Sequence, residues 1–545
     1  MEIFKIENLT YFYPESYSPA ISNINLSIEK GEFLLIVGPS GGGKTTLARL
    51  LAGLVPDFYG GRMKGKFFFK GTSKLKLKKK QVQKEIGMIF QNPERQLIMD
   101  KVESEIAFGL ENLETEPDEI KRRIAEVSAF FGLSNLLDAR CKHLSGGEKQ
   151  KLVLASILAM GPKIIVLDEP TSQLDPIAAE EVFQALRRLR DDLGYSIILI
   201  EQRLDRCFQL ADRVLLLEEG RITQCTNLTN FSRWALREKS NFVPLACKLF
   251  SSHELENVPV TIADARKLLG NYGKPTKKIK RKISLPEEEK NIVEIKGVSY
   301  LYENGARALK NINLCVQQND FLCMLGENGA GKSTLLKIMC GLLKPSKGKT
   351  AVLGESIASL SNIDRIRLLG YLSQNPSDYL FNDSVEKELE YTLGNLGKID
   401  NGVIEETLNL LEINQHRYKN PRDLSTGERE RIALASVMVA KPSILLLDEP
   451  TRGLNYQLKE RLGKILHSFI KQNNGTVIMI TQDVDFAAEF AKKIVLLFKG
   501  EIISHGSKYD VLKSNLYYSS HISKMFCGIA DDIITLKDAQ EWIKA

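Results

Sequence analysis

Short apolar runs of four or five residues recur along the chain and alternate with segments that have the polar–apolar pattern of amphipathic helices. The runs lie at residues 33–37, 164–167, 197–200, 321–325 and 444–447. Continuous apolar runs of this length are typical of strands buried on both faces of a parallel sheet. The pattern therefore predicts an α/β fold. Because a membrane-spanning helix needs about 20 apolar residues, it predicts no membrane crossing.

The chain is a tandem repeat. Three segments recur: GPSGGGKT at 38–45 as GENGAGKS at 326–333, LSGGE at 144–148 as LSTGE at 424–428, and VLDEPT at 166–171 as LLDEPT at 446–451. The offset from Asp168 to Asp448 equals the offset from Ser145 to Ser425. Repetition at a fixed offset predicts two homologous domains.

We predict four segments: a first domain at 1–230, a small extension plus basic linker at 231–290, a second domain at 291–515, and a small extension at 516–545. The extensions share a T-x-x-D-A motif beginning at Thr261 and Thr535. A Thr followed three residues later by Asp predicts a capped helix start. The charged stretch at 274–282 is typical of a solvated linker.

Composition narrows the class of protein. The 545 residues are 43% hydrophobic and 26% charged, which is typical of a soluble globular protein and excludes a disordered or collagen-like chain. The formal net charge of +7 is too mild to indicate nucleic-acid binding by itself. The eight cysteines form no C-x-x-C pair, so we expect buried, reduced thiols.

Both glycine loops match G-x-x-x-x-G-K-[ST]. Glycines let backbone N–H groups curl around phosphate oxygens, and the helix that follows presents its positive N-terminus to the same anion. Lys44 and Lys332 are expected to reach the phosphates, and Thr45 and Ser333 to hold Mg²⁺. The other predicted phosphate-loop residues are Gly38, Pro39, Ser40, Gly41, Gly43 and Thr46 in the first copy and Gly326, Glu327, Asn328, Gly329, Gly331 and Thr334 in the second.

Each repeated Asp-Glu pair ends an apolar strand. Asp168 and Asp448 are predicted Mg²⁺ ligands that act through water, whereas Glu169 and Glu449 are predicted to polarise the attacking water. ATP and Mg²⁺ are therefore the expected cofactors.

Together these motifs resemble ATP-binding cassette (ABC) ATPases in two copies over nearly the whole chain. The Leu-Ser-Gly-Gly-Glu segment resembles their signature sequence, whose helix N-terminus binds the γ-phosphate of ATP held by the other domain. The resemblance implies two composite sites: Lys44, Asp168 and Glu169 with Ser425 and Gly427, and Lys332, Asp448 and Glu449 with Ser145 and Gly147.

Two tyrosines resemble the aromatic residue of this family that stacks on adenine. Tyr13 and Tyr302 precede the first apolar strand of each half. Tyr11 and Tyr300 are nearby competitors for the same role, and ordinary strand packing is the alternative for all four.

The family normally has a histidine at a fixed spacing after the catalytic glutamate. Gln202 and Gln482 occupy that position, at the same spacing from Glu169 and Glu449 respectively. Glutamine donates and accepts hydrogen bonds but carries no charge. We therefore predict that hydrolysis is retained but slower.

The second half departs further from the family pattern. Thr426 replaces a signature glycine, and Asn455 stands where the first half has Asp175. These differences predict two unequal sites.

Within this family the chain resembles one subgroup more closely, namely the ATPases of cobalt-type and energy-coupling-factor importers. Gln91 and Gln374 resemble the family's Q-loop glutamines, which sense Mg²⁺ and the attacking water and contact the membrane partner. The segments that carry the resemblance are 91–98, 102–109, 374–381 and 385–389. Within them Leu97, Ile98, Leu380 and Phe381 either line grooves for membrane subunits or pack in the core.

The resemblance implies an energising ATPase at the cytoplasmic face of the membrane. Its partners would be a transmembrane coupling protein and a substrate-binding membrane protein, with a vitamin or metal ion as cargo and no nucleic acid. The alternative is a soluble double-cassette ATPase acting on ribosomes. That class has a long helical linker, whereas this linker contains Pro275 and Pro286 and part of it repeats at the C-terminus. The basic run at 74–80 is expected to be a solvated loop or to face anionic lipid. A sugar-importer subunit is disfavoured because those proteins lack the Gln-Asn-Pro segment.

Overall fold

The computed structural model describes the chain apart from residues 74–81, 83, 173, 252–257, 272–289, 304, 425, 453, 455, 514, 516 and 545. The predicted linker at 274–282 and basic run at 74–80 lie outside the described residues, as do Ser425, Asn455 and the side chain of Thr426. The chain separates into two compact units, Met1–Ala265 and Arg266–Ala545. The finer boundaries at 230, 290 and 515 stay predictions.

The described part of the first unit has a four-stranded antiparallel sheet and a six-stranded, mainly parallel sheet. Its strands are β1 (Glu2–Phe12), β2 (Ile21–Glu29), β3 (Phe33–Val37), β4 (Arg62–Phe69), β5 (Thr72–Ser73), β6 (Ile86–Ile89), β7 (Ile164–Asp168), β8 (Ser196–Ile200), β9 (Arg213–Glu218) and β10 (Arg221–Asn227). The sheet orders are β2-β1-β4-β5 and β10-β9-β3-β8-β7-β6. In the larger sheet β10 runs antiparallel to β9, and the other neighbours are parallel.

The second unit repeats this arrangement. Its strands are β11 (Asn291–Leu301), β12 (Arg307–Gln317), β13 (Phe321–Gly326), β14 (Lys347–Val352), β15 (Glu355–Ser356), β16 (Leu369–Leu372), β17 (Ile444–Asp448), β18 (Thr476–Ile480), β19 (Lys493–Phe498) and β20 (Glu501–Ser507). The sheet orders are β12-β11-β14-β15 and β16-β17-β18-β13-β19-β20.

Helices cover these sheets. In the first unit they are Lys44–Leu51, Val102–Asn112, Pro117–Phe131, Gly146–Ala159, Pro176–Asp191, Leu204–Cys207, Leu228–Arg237 and Leu245–Leu249, and Ile262–Asn271 follows across the boundary between the units. In the second unit they are Lys332–Met339, Asn362–Leu368, Val385–Asn395, Val403–Leu410, Thr426–Met438, Tyr456–Asn473, Val484–Phe490, Lys508–Leu512, His521–Phe526 and Leu536–Lys544. Short 3₁₀ helices lie at Pro93–Arg95, Ser134–Leu136, Cys141–His143, Phe208–Leu210, Pro376–Tyr379, Asn414–His416 and Pro421–Asp423.

The central strand β3 separates two cores. Phe33, Leu35 and Val37 pack against the helical side, whereas Leu34 and Ile36 pack toward the antiparallel sheet and helix Lys44–Leu51. Successive strand side chains point to opposite faces, so a strand buried on both faces must be continuously apolar. β13 divides its unit in the same way. The predicted fold class is confirmed: two α/β domains in tandem, each with a helical subdomain around its LSGGE-type segment and a small C-terminal extension.

The capped helices of the extensions are also confirmed. The Thr261 N–H donates to Asp264 Oδ2 at 3.1 Å, and the Asp264 N–H donates to Thr261 Oγ1 at 3.0 Å. Thr535 and Asp538 exchange the same two bonds at 3.2 and 3.1 Å.

The cysteines are free thiols, as expected. Five of them are buried, as predicted, and Cys225 is half-buried. The prediction is wrong for Cys315 and Cys527, which are exposed at the surface.

Candidate functional site

The glycine loops lie at the carboxyl ends of β3 and β13 and lead into helices Lys44–Leu51 and Lys332–Met339. Gly43 and Gly331 precede these helices with φ of 96° and 98°. A Cβ at Gly43 would lie 2.7 Å from the Ala20 carbonyl oxygen, and one at Gly331 would lie 2.4 Å from the Ala308 carbonyl oxygen. Positive φ and close backbone together require glycine at both positions.

Gly38 and Gly326 begin the two loops. A Cβ at either position would lie 2.1 or 2.3 Å from a carbonyl oxygen of β9 or β19. By contrast, Ser40, Gly41 and Gly329 are exposed. The two ends of each loop are therefore packed closely against neighbouring backbone, whereas the middle of the loop is exposed.

Each loop folds around its lysine. Lys44 Nζ donates to the carbonyl oxygens of Gly38 and Pro39, both at 2.8 Å. Lys332 Nζ donates to those of Gly326 and Glu327, both at 2.7 Å. Burial lowers the pKa of Lys44, while the charges of Glu169 and Asp168 oppose that shift. A cationic side chain is thus held in each loop.

Tyr13 and Tyr302 contact the helices that follow the loops. The Tyr13 hydroxyl lies 3.3 Å from Thr46 Oγ1, and the Tyr302 hydroxyl lies 2.9 Å from Thr334 Oγ1. Tyr11 is fully buried and donates to the Gly60 carbonyl oxygen at 2.6 Å. Burial removes Tyr11 as a competitor for a stacking role.

Asp168 and Asp448 end strands β7 and β17. Burial raises the pKa of each carboxyl, and hydrogen bonds with Thr45 and Ser333 oppose the rise. Within the described residues, the buried Asp448 Oδ1 has no hydrogen-bond partner. A carboxylate beside a hydroxyl, with one oxygen left over, is a donor set that fits Mg²⁺.

Two glutamine side chains hold the carboxylate of Glu169. Gln91 Nε2 donates to Oε2 at 3.0 Å, and Gln202 Nε2 donates to Oε1 at 2.6 Å. Burial raises the pKa of Glu169 to about 7, against the opposing effect of Lys44. The buried Gln202 Oε1 has no partner among the described residues and is left as an acceptor.

The equivalent glutamine of the second unit points elsewhere. Gln482 donates its backbone N–H to Glu449 Oε2 at 3.1 Å, but its side-chain Nε2 donates to Asn328 Oδ1 at 2.8 Å. Gln374 follows β16 and lines one cavity together with Asp448 and Glu449. The two units therefore use the same residue types in different hydrogen bonds.

Both catalytic candidates have an unusual backbone. Glu169 and Glu449 have φ of 49° and 56°, and their N–H groups donate to the carbonyl oxygens of Ile200 and Ile480, both at 3.0 Å. Left-handed conformations at non-glycine residues cost of order 1–3 kcal/mol and cluster at functional sites.

The signature segments begin helices. Ser145 caps Gly146–Ala159 in a capping box with Glu148. Gly147 is buried, and a Cβ there would lie 2.9 Å from Ala178 Cβ, whereas Gly427 is less crowded. Ser425 lies outside the described residues.

Sequence reasoning missed two polar residues beside these sites. Glu201 is buried next to Gln202, where the N–H and the hydroxyl of Thr171 both donate to its Oε1. Arg49 Nη1 donates to the Tyr13 hydroxyl at 2.9 Å. The carboxylate that follows β8 directly before Gln202 was a usable signal for Glu201, whereas no local motif marks Arg49.

The segments after the Q-loop glutamines present one apolar side chain each. Ile98 is 67% exposed and Phe381 is 62% exposed, whereas Leu380 is buried and Leu97 is half-buried against the core. Leu380 therefore packs in the core, which was one of the two predicted alternatives. Ile98 and Phe381 do not pack in the core and are exposed.

Comparison with known proteins identifies relatives along the whole chain. Residues 21–172 and 309–452 match the family model described as ABC transporter. An ABC transporter ATP-binding protein of Clostridium tetani is 40% identical over 447 residues, covering 81% of this chain and 100% of that protein. Another from Bacillus thuringiensis subsp. konkukian is 34% identical over 544 residues, covering 98% of each.

A solved structure has the same double-domain fold. The complex of archaeal ribosomal stalk protein aP1 with the ribosome recycling factor aABCE1 aligns with a TM-score of 0.60 at 21% identity, covering 92% of this chain and 90% of that one. Within the described residues, no helix combines the length and apolar character needed to span a bilayer.

Proposed function

Since the chain belongs to the ABC transporter family and is an ATPase with two cassettes in tandem, we propose that it energises a membrane importer of the cobalt or energy-coupling-factor type. In this proposal it lies at the cytoplasmic face of the membrane. Its partners are a transmembrane coupling protein and a substrate-binding membrane protein, and the cargo is a vitamin or a metal ion.

The observation that carries the proposal is an exposed apolar side chain at the equivalent position of each unit, Ile98 in the first and Phe381 in the second. The same kind of hydrogen bonding holds the backbone at both positions. In the first unit Glu105 Oε2 accepts the N–H groups of Ile98 and Met99 at 2.8 and 2.7 Å. In the second, Glu388 Oε2 accepts those of Phe381 and Asn382, both at 2.8 Å. Both glutamates are buried. A single exposed apolar residue is common on protein surfaces, so the support comes from the repetition. Both units expose an apolar side chain at the equivalent position and hold its backbone with an equivalent buried glutamate, which supports a shared contact surface.

In the first unit the exposed side chain of Ile98 is connected through Gln91 to the candidate catalytic site. Ile98 follows Gln91 by seven residues, and Gln91 donates to Glu169. A partner that shifts the segment at Ile98 would therefore move a donor that touches the catalytic carboxylate. This connection supports coupling between partner binding and ATP hydrolysis.

We assign the chemistry as follows. The loop N–H groups with Lys44 or Lys332 hold the phosphates of ATP, and Tyr13 or Tyr302 stacks on adenine. Thr45 with Asp168, and Ser333 with Asp448, would hold Mg²⁺, which neutralises phosphate charge when bound. Glu169 and Glu449 polarise the attacking water. Gln202 and Gln482 donate to phosphate or water in place of a cationic histidine.

The test is affinity capture from solubilised membranes. The Glu169→Gln, Glu449→Gln double variant is trapped with ATP, and co-purifying proteins are identified by mass spectrometry. Small polytopic membrane proteins are the expected result, and they should be lost when Ile98→Asp and Phe381→Asp are added. A matched control is Ile503→Asp, which changes an exposed isoleucine on β20. Ribosomal proteins and rRNA without a membrane subunit would contradict the proposal and favour a soluble ribosomal ATPase.

A further inference from the structure

Gln202 and Gln482, at the position where the family normally has a histidine, are the switch glutamines of the two units. The helix that follows Gln482 is hydrogen-bonded to the C-terminal extension of its unit. Helix Val484–Phe490 begins two residues after Gln482. Its Asp485 accepts the backbone N–H of His521 at 2.8 Å through Oδ1, and His521 Nδ1 lies 2.5 Å from Oδ2. Two contacts between the same residues tie the first turn of this helix to the extension.

The first unit makes the corresponding contact. Asp205 lies three residues after Gln202, as Asp485 lies three residues after Gln482. Asp205 Oδ1 accepts the backbone N–H of Leu245 at 2.6 Å. Leu245 and His521 are each the first residue of an extension helix, Leu245–Leu249 and His521–Phe526. The bond recurs although the residue that donates it differs, which indicates that the backbone contact is the shared feature.

The second unit adds an anchor at the other end of the same helix. Lys508 Nζ donates to the carbonyl oxygens of Ala488 and Glu489 at 2.6 and 3.1 Å. Cations near a helix C-terminus are stabilising because they satisfy its last carbonyls and complement its dipole. The helix after Gln482 is thus held at both ends by residues that follow β20.

Charge strengthens the contact in the second unit. Burial disfavours ionisation of Asp485, but the adjacent His521 outweighs it and lowers the pKa of the carboxyl. His521 is mostly buried, and its ring faces Asp485. Hydrogen bonds to an ionised carboxylate are about twice as strong as neutral ones. In the first unit Leu245 supplies the backbone donor but has no polar side chain to add a second contact.

We propose that Asp485 and Asp205 are positioning residues, through which each C-terminal extension holds the switch glutamine of its own unit in place for ATP hydrolysis. This inference rests on the roles proposed above for Gln482 and Gln202. Neither aspartate is placed to touch the nucleotide. Each acts through the short segment that joins it to the glutamine, so loosening or moving the extension changes the rate of hydrolysis.

The test uses the full chain in a Glu169→Gln background, so that the second unit supplies the measured turnover. Asp485→Ala, Gln482→Ala and the double variant are compared for kcat and KM. We expect Asp485→Ala to lower kcat about tenfold, as for the loss of a hydrogen bond to a charged group, with KM changed less than about twofold. Because both residues act on one step, Asp485→Ala should lower kcat little further once Gln482 is absent.

Three further variants separate positioning from general loosening of the extension. Asp485→Asn retains an acceptor for the His521 N–H and should recover most of the lost kcat. His521→Leu, which copies the first unit, should fall between that variant and Asp485→Ala. Thr535→Ala removes the cap of the last extension helix without touching Asp485 and should lower Tm but not kcat.

Additive losses in the double variant would overturn the inference, as would an equal loss of kcat in Thr535→Ala. An unchanged kcat in Gln482→Ala would instead overturn the role proposed for the switch glutamine, and the inference with it. The reciprocal set uses Glu449→Gln with Asp205→Ala and Gln202→Ala, and the same non-additivity is expected.

Discussion

Glu169 and Glu449 occupy equivalent positions and share a left-handed backbone, yet the amides around them differ. The Glu169 carboxylate accepts from the side chains of Gln91 and Gln202. The side chain of Gln482 instead donates to Asn328. Because an amide donor stabilises the carboxylate and orients it, these contacts set how ready each site is for hydrolysis.

The raised pKa of Glu169 predicts a pH dependence. In Glu449→Gln the first unit supplies turnover, and the ionised form of Glu169 is the form that polarises water. With a pKa of about 7, kcat/KM should be high above pH 7 and fall about tenfold per pH unit below it. Steady-state ATPase assays from pH 5.5 to 8.5 measure this limb. A flat profile down to pH 5.5 would contradict the prediction, and ATP affinity over the same range serves as the control.

The bond between Gln482 and Asn328 predicts the effect of a loop substitution. Ser40 stands at the equivalent position of the first loop, so Asn328→Ser copies that loop and frees the Gln482 amide. In a Glu169→Gln background we expect kcat to rise about fivefold, since one hydrogen bond contributes about 1 kcal/mol. Single-turnover hydrolysis of ATP measures the step directly. The control is Ser40→Ala in the same background, and an unchanged or lower rate in Asn328→Ser would count against this reading.

At the scale of elements, one buried glutamate per unit braces the loop that presents an exposed apolar residue. Glu105 and Glu388 lie on helices Val102–Asn112 and Val385–Asn395, and each accepts two consecutive backbone N–H groups. In each unit a glutamate on a helix thus accepts the N–H groups of the loop and holds the loop in one conformation.

This brace predicts local hydrogen exchange. Glu105→Ala should speed exchange of the Ile98 and Met99 amides by at least about tenfold, because hydrogen bonds to a charged group contribute about 1.5–3 kcal/mol each. Glu105→Gln keeps an acceptor and should retain most of the protection. Amides within helix Gly146–Ala159 provide an internal reference. Equal protection of Ile98 and Met99 in Glu105→Ala and in the unaltered chain would show that the glutamate is no brace.

At the scale of the whole molecule, the features that could be predicted from the sequence are those formed by residues close together in the chain. The glycine loops, the Asp-Glu pairs, the repeat and the Thr-x-x-Asp caps each carry their chemistry within a few positions. The choice between Tyr11 and Tyr13 needed burial, because Tyr11 lies near the end of β1 and Tyr13 just beyond it, and the sequence does not show which ring stays accessible. The bond of Gln482 to Asn328 joins residues 154 positions apart, so a motif of consecutive residues does not reveal it.

The last prediction concerns the balance between the two units. The substitutions at Thr426 and Asn455 already predict that the two sites are unequal. The amide contacts indicate which of the two sites hydrolyses ATP faster. Since the Glu169 carboxylate is held by two amides and the Gln482 side chain is turned to its loop, Glu169→Gln should lower total ATP turnover several-fold more than Glu449→Gln. Steady-state turnover of the two single variants at saturating ATP measures the ratio. If both variants lose turnover equally, the contacts around the two carboxylates do not control hydrolysis. Adding Asn328→Ser to each variant should move the ratio toward one, because it gives the second unit the loop residue of the first.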